Sequence, residues 1–149
     1  MPGVRVSLAT PRPDVARMAG QSLGAQLRRR RRELELRCDQ AAELLGVDPK
    51  TLTWWERDAR LPFIRAYPAI TGFLGYEPWS EPSSLSEALL GARRRRGLEI
   101  RKAAELLGVD EGTWRRWETG EWKPTSATLP AIDRLLGYSI KLAFPADVR

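Results

Sequence analysis

AAELLGVDPKTLTWWER, residues 41–57, and AAELLGVDEGTWRRWET, residues 103–119, share their first eight residues and stand 62 positions apart. The same offset pairs Thr51 with Thr113, Trp55 with Trp117, Glu56 with Glu118 and Pro62 with Pro124. It also pairs Pro68-Ala69-Ile70 with Pro130-Ala131-Ile132, and Leu74-Gly75-Tyr76 with Leu136-Gly137-Tyr138. Upstream, Leu27, Arg31, Arg32 and Leu36 fall against Leu89, Arg93, Arg94 and Leu98. The register runs without a gap from Leu27 to Tyr76, and chance does not hold a register over that length. The chain carries two copies of one unit. The expected division is an N-terminal arm at 1–21, a first domain at 22–76, a Pro- and Ser-rich linker at 77–85, a second domain at 86–138 and a tail at 139–149.

Periodicity and end signals predict four helices per copy. The first copy gives one from about Ser22 to Glu35, a short second one capped by Asp39 and ending at Leu45, and a third behind Asp48 with Pro49 at its first turn. A fourth begins near Tyr67-Pro68 and closes at Gly75. The second copy gives about Leu85–Arg96, Arg101–Leu107, Glu111–Thr119 and Leu129–Leu136, with Asp110 in the place of Asp48. The fold class is all-α. One exception is expected: Tyr138–Phe144 alternates apolar and polar residues and reads as a short strand, either a C-terminal edge or a dimer contact.

Two short helices meeting at a steep angle impose specific demands. The second helix needs a small residue where the third crosses it, and Ala42 and Ala104 supply one. The turn needs a residue free to adopt a left-handed backbone, met by Gly46 and Gly108, followed by an inward apolar residue, met by Val47 and Val109. The third helix must return large apolar residues to the core. Leu52 with Trp55, and Trp114 with Trp117, do this at i and i+3.

On these residues, and on LRRRRREL and ARRRRGLE upstream of them, both copies resemble lambda-repressor-like (Cro-type, XRE-type) helix-turn-helix domains, over about 22–76 and 86–138. The resemblance implies an ion pair between the first helix and the end of the third, matched by Arg31 with Glu56 and Arg93 with Glu118; the bland reading makes these solvated charges. It also implies that the third helix enters the DNA major groove. That nominates Pro49, Lys50, Thr53 and Trp54 in the first copy, and Glu111, Gly112, Arg115 and Arg116 in the second. Arg115 and Arg116 can donate to guanine O6 and N7 or clamp phosphate. Glu111 either accepts from cytosine N4 or favours the helix N-terminus through the dipole, and Pro49 reads better as a helix starter. Trp54 is expected on the outer face, against thymine methyls or sugar, in a protein contact, or against Pro62 and Phe63.

The family commonly opens its second helix with a phosphate-binding Gln, where this chain has Cys38 and Ile100; Gln40, Arg37, Arg101 and Lys102 lie near enough to compensate. The Gly usual before that helix is Glu35 in the first copy and Gly97 in the second. Cys38 reads as an inert thiol rather than a redox switch.

The net charge is +6 and the sequence pI near 10.1, which favours a polyanionic partner. Each copy is only mildly basic, with ten basic against seven acidic residues in 22–76 and ten against eight in 86–138. Phosphate binding must then come from placement rather than bulk charge. With no histidine and one cysteine, His-based general-base chemistry, nearly all zinc-site patterns and an intramolecular disulfide are excluded. No apolar run suits a membrane span or a secretory signal, so a soluble cytoplasmic, nucleoid-associated protein is expected, with no membrane partner.

The sequence therefore predicts a sequence-specific regulator of transcription that binds double-stranded DNA, its two domains reading neighbouring major grooves. No cofactor and no metal are expected. Extended, the linker would span roughly 30 Å, close to the one-turn half-site spacing of about 34 Å. A homodimer or a protein partner stays open. The alternative is a protein-interaction module, antitoxin-like or polymerase-binding, anchored by Trp54, Trp79 and Trp122. An enzyme is not expected, because no nucleophile–base pair, phosphate loop or metal cluster is visible.

Overall fold

The computed structural model describes residues 21–149, and the arm expected over 1–21 lies, Gln21 apart, outside the described residues. The chain divides into two compact units between Pro78 and Trp79. Both are helical, and no strand occurs among the described residues.

The first unit contains α1 (Leu23–Glu33), α2 (Cys38–Leu45), α3 (Pro49–Glu56), a 3-10 turn (Ile64–Ala66) and α4 (Tyr67–Leu74). Ser22 caps α1 and Asp48 caps α3, each side chain accepting from the backbone N–H three residues on. Asp39 does not cap α2: the N-cap is Arg37, two residues earlier, and Gln40 Oε1 accepts from Arg37 N at 2.9 Å. Asp39 instead pairs with the Arg37 side chain at 3.1 Å. Gly46 takes φ 72°, which turns the chain from α2 into α3. Leu27, Ala41, Ala42, Leu52, Trp55, Ile70 and Leu74 form the centre of the core.

The second unit contains α5 (Leu85–Arg96), α6 (Ile100–Leu107), α7 (Glu111–Thr119), α8 (Leu129–Leu136), α9 (Ile140–Ala143) and a 3-10 turn (Pro145–Asp147). The strand expected over Tyr138–Phe144 is a helical turn. Ser139 caps it, and Ile140 is wholly buried with Phe144 packed beside it, a pair at i and i+4 that alternation alone had disguised. The presumed tail thus completes this core. Asp147 Oδ2 accepts from Leu85 N at 3.0 Å, closing the unit end to start. Much of the expected linker also belongs here: Arg94 lies over the Trp79 ring at 5.5 Å, and Ser83 N donates to Glu87 at 2.8 Å. Composition marked this segment as spacer, but Trp79 has too much apolar surface to leave in water.

The two copies satisfy the same needs with exchanged residues. Arg30, 3% exposed, donates Nε to Phe73 O at 2.9 Å at the end of α4. At the matching place in the second unit stands Ala92, and Arg96, one turn further, donates to the matching carbonyl, Leu135 O, at 3.1 Å. Gly24 lets α1 approach α3 so closely that a Cβ there would sit 2.4 Å from Trp55 O, and Asp58 Oδ1 accepts from its N–H at 3.0 Å. In the second unit Ser86 replaces Gly24 and bonds Trp117 O at 2.9 Å, while Gly120 replaces Asp58.

Candidate nucleic-acid interface

The third helix of each unit is pinned from inside. Leu52 and Trp55, and Trp114 and Trp117, are buried at i and i+3. Arg31 donates through Nε and Nη2 to both Glu56 oxygens at 2.7 and 3.0 Å, and Arg93 grips Glu118 the same way at 2.8 and 2.7 Å. Each arginine also donates Nη1 to the carbonyl just before α2 or α6 (Leu36 O, Leu98 O). One guanidinium thereby ties three helices together. The Glu56 carboxylate pushes the Arg31 pKa above its ordinary range. Each carboxylate has a third neighbour, from a different source in each copy: Arg28 Nε at 4.0 Å from Glu56, and the Trp114 indole N–H at 2.6 Å from Glu118.

With the inner face committed, the outward side chains of α3 and α7 are what a ligand meets. In α3, Lys50 is exposed, and its Nζ lies 5.1 Å from the centroid of the Trp54 ring. Thr53 donates its hydroxyl to Pro49 O at 2.9 Å, so it faces a ligand chiefly as an acceptor. Trp54 is half-buried, because Arg60 stacks on its ring at 3.8 Å. Phe63 packs edge-on against the neighbouring Trp55 at 5.6 Å.

In α7, Glu111 and Arg115 are exposed, and Arg115 has no hydrogen-bond or ion-pair partner among the described residues. Arg116 is half-buried with its guanidinium 4.4 Å over the Trp122 ring. Residues 54 and 116, and 60 and 122, are equivalent by the repeat offset. The stack therefore recurs with its polarity reversed, the indole on the helix in the first unit and the cation on the helix in the second. This explains Trp54, and sequence reading missed it because either half alone looks unpaired. Asp110 caps α7, and the Thr113 backbone N–H holds its carboxyl below the usual range.

The flanking candidates are less uniform. Gln40 Oε1 is spent on the start of α2. Arg101 and Lys102 are exposed on the first turn of α6, Lys102 within 3.5 Å of Glu105. Cys38 Sγ contacts Pro49 O and Thr53 Oγ1, both at 3.6 Å, as a packed thiol between α2 and α3. Most of the arginine runs are spent on structure, through Arg30, Arg31, Arg93 and Arg96 as above and through Arg29 with Glu33 at 3.4 Å. No helix among the described residues is long and apolar enough to cross a membrane.

A family model described as a helix-turn-helix domain matches residues 22–78 and again 85–142. No curated protein and no solved structure matches the chain.

Proposed function

Because the chain belongs to the helix-turn-helix domain family, matched over both repeats, we propose that it is a sequence-specific regulator of transcription that reads neighbouring major grooves of double-stranded DNA with α3 and α7, in the manner of Cro- and XRE-type domains. The observation that carries this reading is α7: its inner side is immobilised by Trp114, Trp117 and Glu118, and its outer side offers Arg115 and Arg116. A rigid helix with arginines on its outward edge suits guanine edges and phosphates. The first turns of α2 and α6 supply backbone amides for phosphate. Such a protein acts on the nucleoid, in the cytoplasm.

The interaction reading needs free aromatic anchors. Trp54, Trp79 and Trp122 each lie under an arginine of their own unit, and Trp122, 46% exposed, is the most open of the three. A salt titration of binding to random and to selected duplexes tests the proposal. Regulation requires sequence discrimination and an affinity that falls steeply with salt, by a log–log slope of about −0.9 per phosphate neutralised. Arg115→Ala with Arg116→Ala should weaken binding more than Lys50→Ala. No binding at low salt would refute the proposal, and equal effects of the two variants would remove α7 from the leading role.

A further inference from the structure

Arg116 does not project freely from α7. Its guanidinium lies over the Trp122 ring at 4.4 Å, and its Nη1 folds back over the first turn of the helix, where a Cβ on Gly112 would come within 3.0 Å of it and 3.1 Å of Asp110 Oδ1, whose carboxyl Arg116 helps the Thr113 backbone N–H hold below its usual range. Gly112 makes the room and Trp122 makes the floor. Trp122 is itself held by the residue it supports, its N–H donating to Arg116 O at 3.1 Å. A guanidinium held over a ring has already lost most of its rotamer freedom, and the N–H groups turned away from the helix can meet a planar acceptor pair. Guanine O6 and N7 are such a pair. In the first unit the same stack puts the indole of Trp54 on the helix and the cation, Arg60, in the following loop. That helix offers no arginine fork at the equivalent place.

Resting on the DNA-binding reading above, we propose that Arg116 is the guanine-reading side chain of the second unit and that Trp122, from outside the helix, is its positioning residue. The recognised site is then asymmetric, with the guanine read by this fork in one half only.

The test uses the full chain. Duplexes are enriched from a random pool, and each guanine of the recovered duplex is replaced in turn by 7-deazaguanine, which lacks the N7 acceptor. Affinity is read by fluorescence anisotropy. The wild type should lose about tenfold at one guanine. Arg116→Lys should remove that sensitivity. Trp122→Leu should reduce it to under about threefold, and Trp122→Tyr, which keeps a stacking face, should restore it. The double exchange Arg116→Trp with Trp122→Arg copies the polarity of the first unit; it should keep the helical circular dichroism and lose the discrimination. Full sensitivity in Trp122→Leu would overturn the positioning role. An enriched duplex with no guanine that depends on Arg116 would overturn this proposal and leave DNA recognition standing, whereas failure to enrich any sequence would overturn both.

Discussion

Glu118 should be the most sensitive single position in the second unit. Its carboxylate accepts from Arg93 Nε and Nη2 and from the indole of Trp114, and the two charged side chains are only 11% and 14% exposed. Glu118→Ala leaves a guanidinium and a wholly buried indole N–H facing a void. Removing one partner of a buried pair costs about 3–5 kcal/mol, and an orphaned buried donor about 1–3 kcal/mol. Residual exposure of both charges lets water reach the arginine, so the lower end of the combined range applies, about 4 kcal/mol. That is a large share of the stability of a unit this small. Replacing both partners, Arg93→Met with Glu118→Leu, leaves the Trp114 indole and the Leu98 carbonyl without their partners and should cost about 2–3 kcal/mol, less than the single change. The assay is urea unfolding followed by tryptophan fluorescence, with Trp114 and Trp117 reporting on this core. Two results would refute the reasoning. A cost below about 1 kcal/mol for Glu118→Ala would make the pair a screened surface contact. A double variant as unstable as the single would mean that packing volume, not the orphaned charge, sets the cost.

Three further outcomes follow from positions where the copies differ. Glu35 sits at φ 56° where the second unit has Gly97 at φ 66°, so Glu35→Gly should stabilise the first unit by about 1 kcal/mol and Gly97→Glu should destabilise the second by a similar amount, read as opposite shifts in urea midpoint. Gly24→Ala should cost about 2–3 kcal/mol, because the new methyl meets the Trp55 carbonyl at 2.4 Å, while Ser86→Ala should lose one hydrogen bond, about 1 kcal/mol; equal costs would deny the close approach of α1 to α3. Thr71 Oγ1 is buried with no hydrogen-bond partner among the described residues. Its counterpart Asp133 accepts from Ile140 N at 2.9 Å, but the residue facing Thr71 by the same offset is Pro78, which has no N–H. Thr71→Val should therefore stabilise by about 1 kcal/mol in thermal unfolding, and a loss of stability would reveal a partner for the hydroxyl.

The repeat, the four helices shared by the copies and their core positions were legible from residues alone, because each rests on short-range chemistry; the helical turn at Ile140–Ala143 was not, since its apolar residues also alternate. Small, glycine and apolar residues at set spacings leave few ways to pack three short helices, and Asp48, Asp110, Gly46 and Gly108 mark the ends that spacing implies. Most outward candidates on the third helices were readable too, since burying Leu52 with Trp55 and Trp114 with Trp117 decides which residues remain outside. What the tertiary structure alone decided were contacts between groups far apart in sequence whose members change places. Arg30 and Arg96 meet equivalent carbonyls from different turns; Asp58, in the turn after α3, and Ser86, on α5, fill the same gap from opposite sides; Trp54 with Arg60, and Arg116 with Trp122, build one stack with its halves exchanged. Residue-by-residue comparison scores each of these as a mismatch. Packing requires only that a space be filled or a charge be faced, and it does not record which chain segment does so.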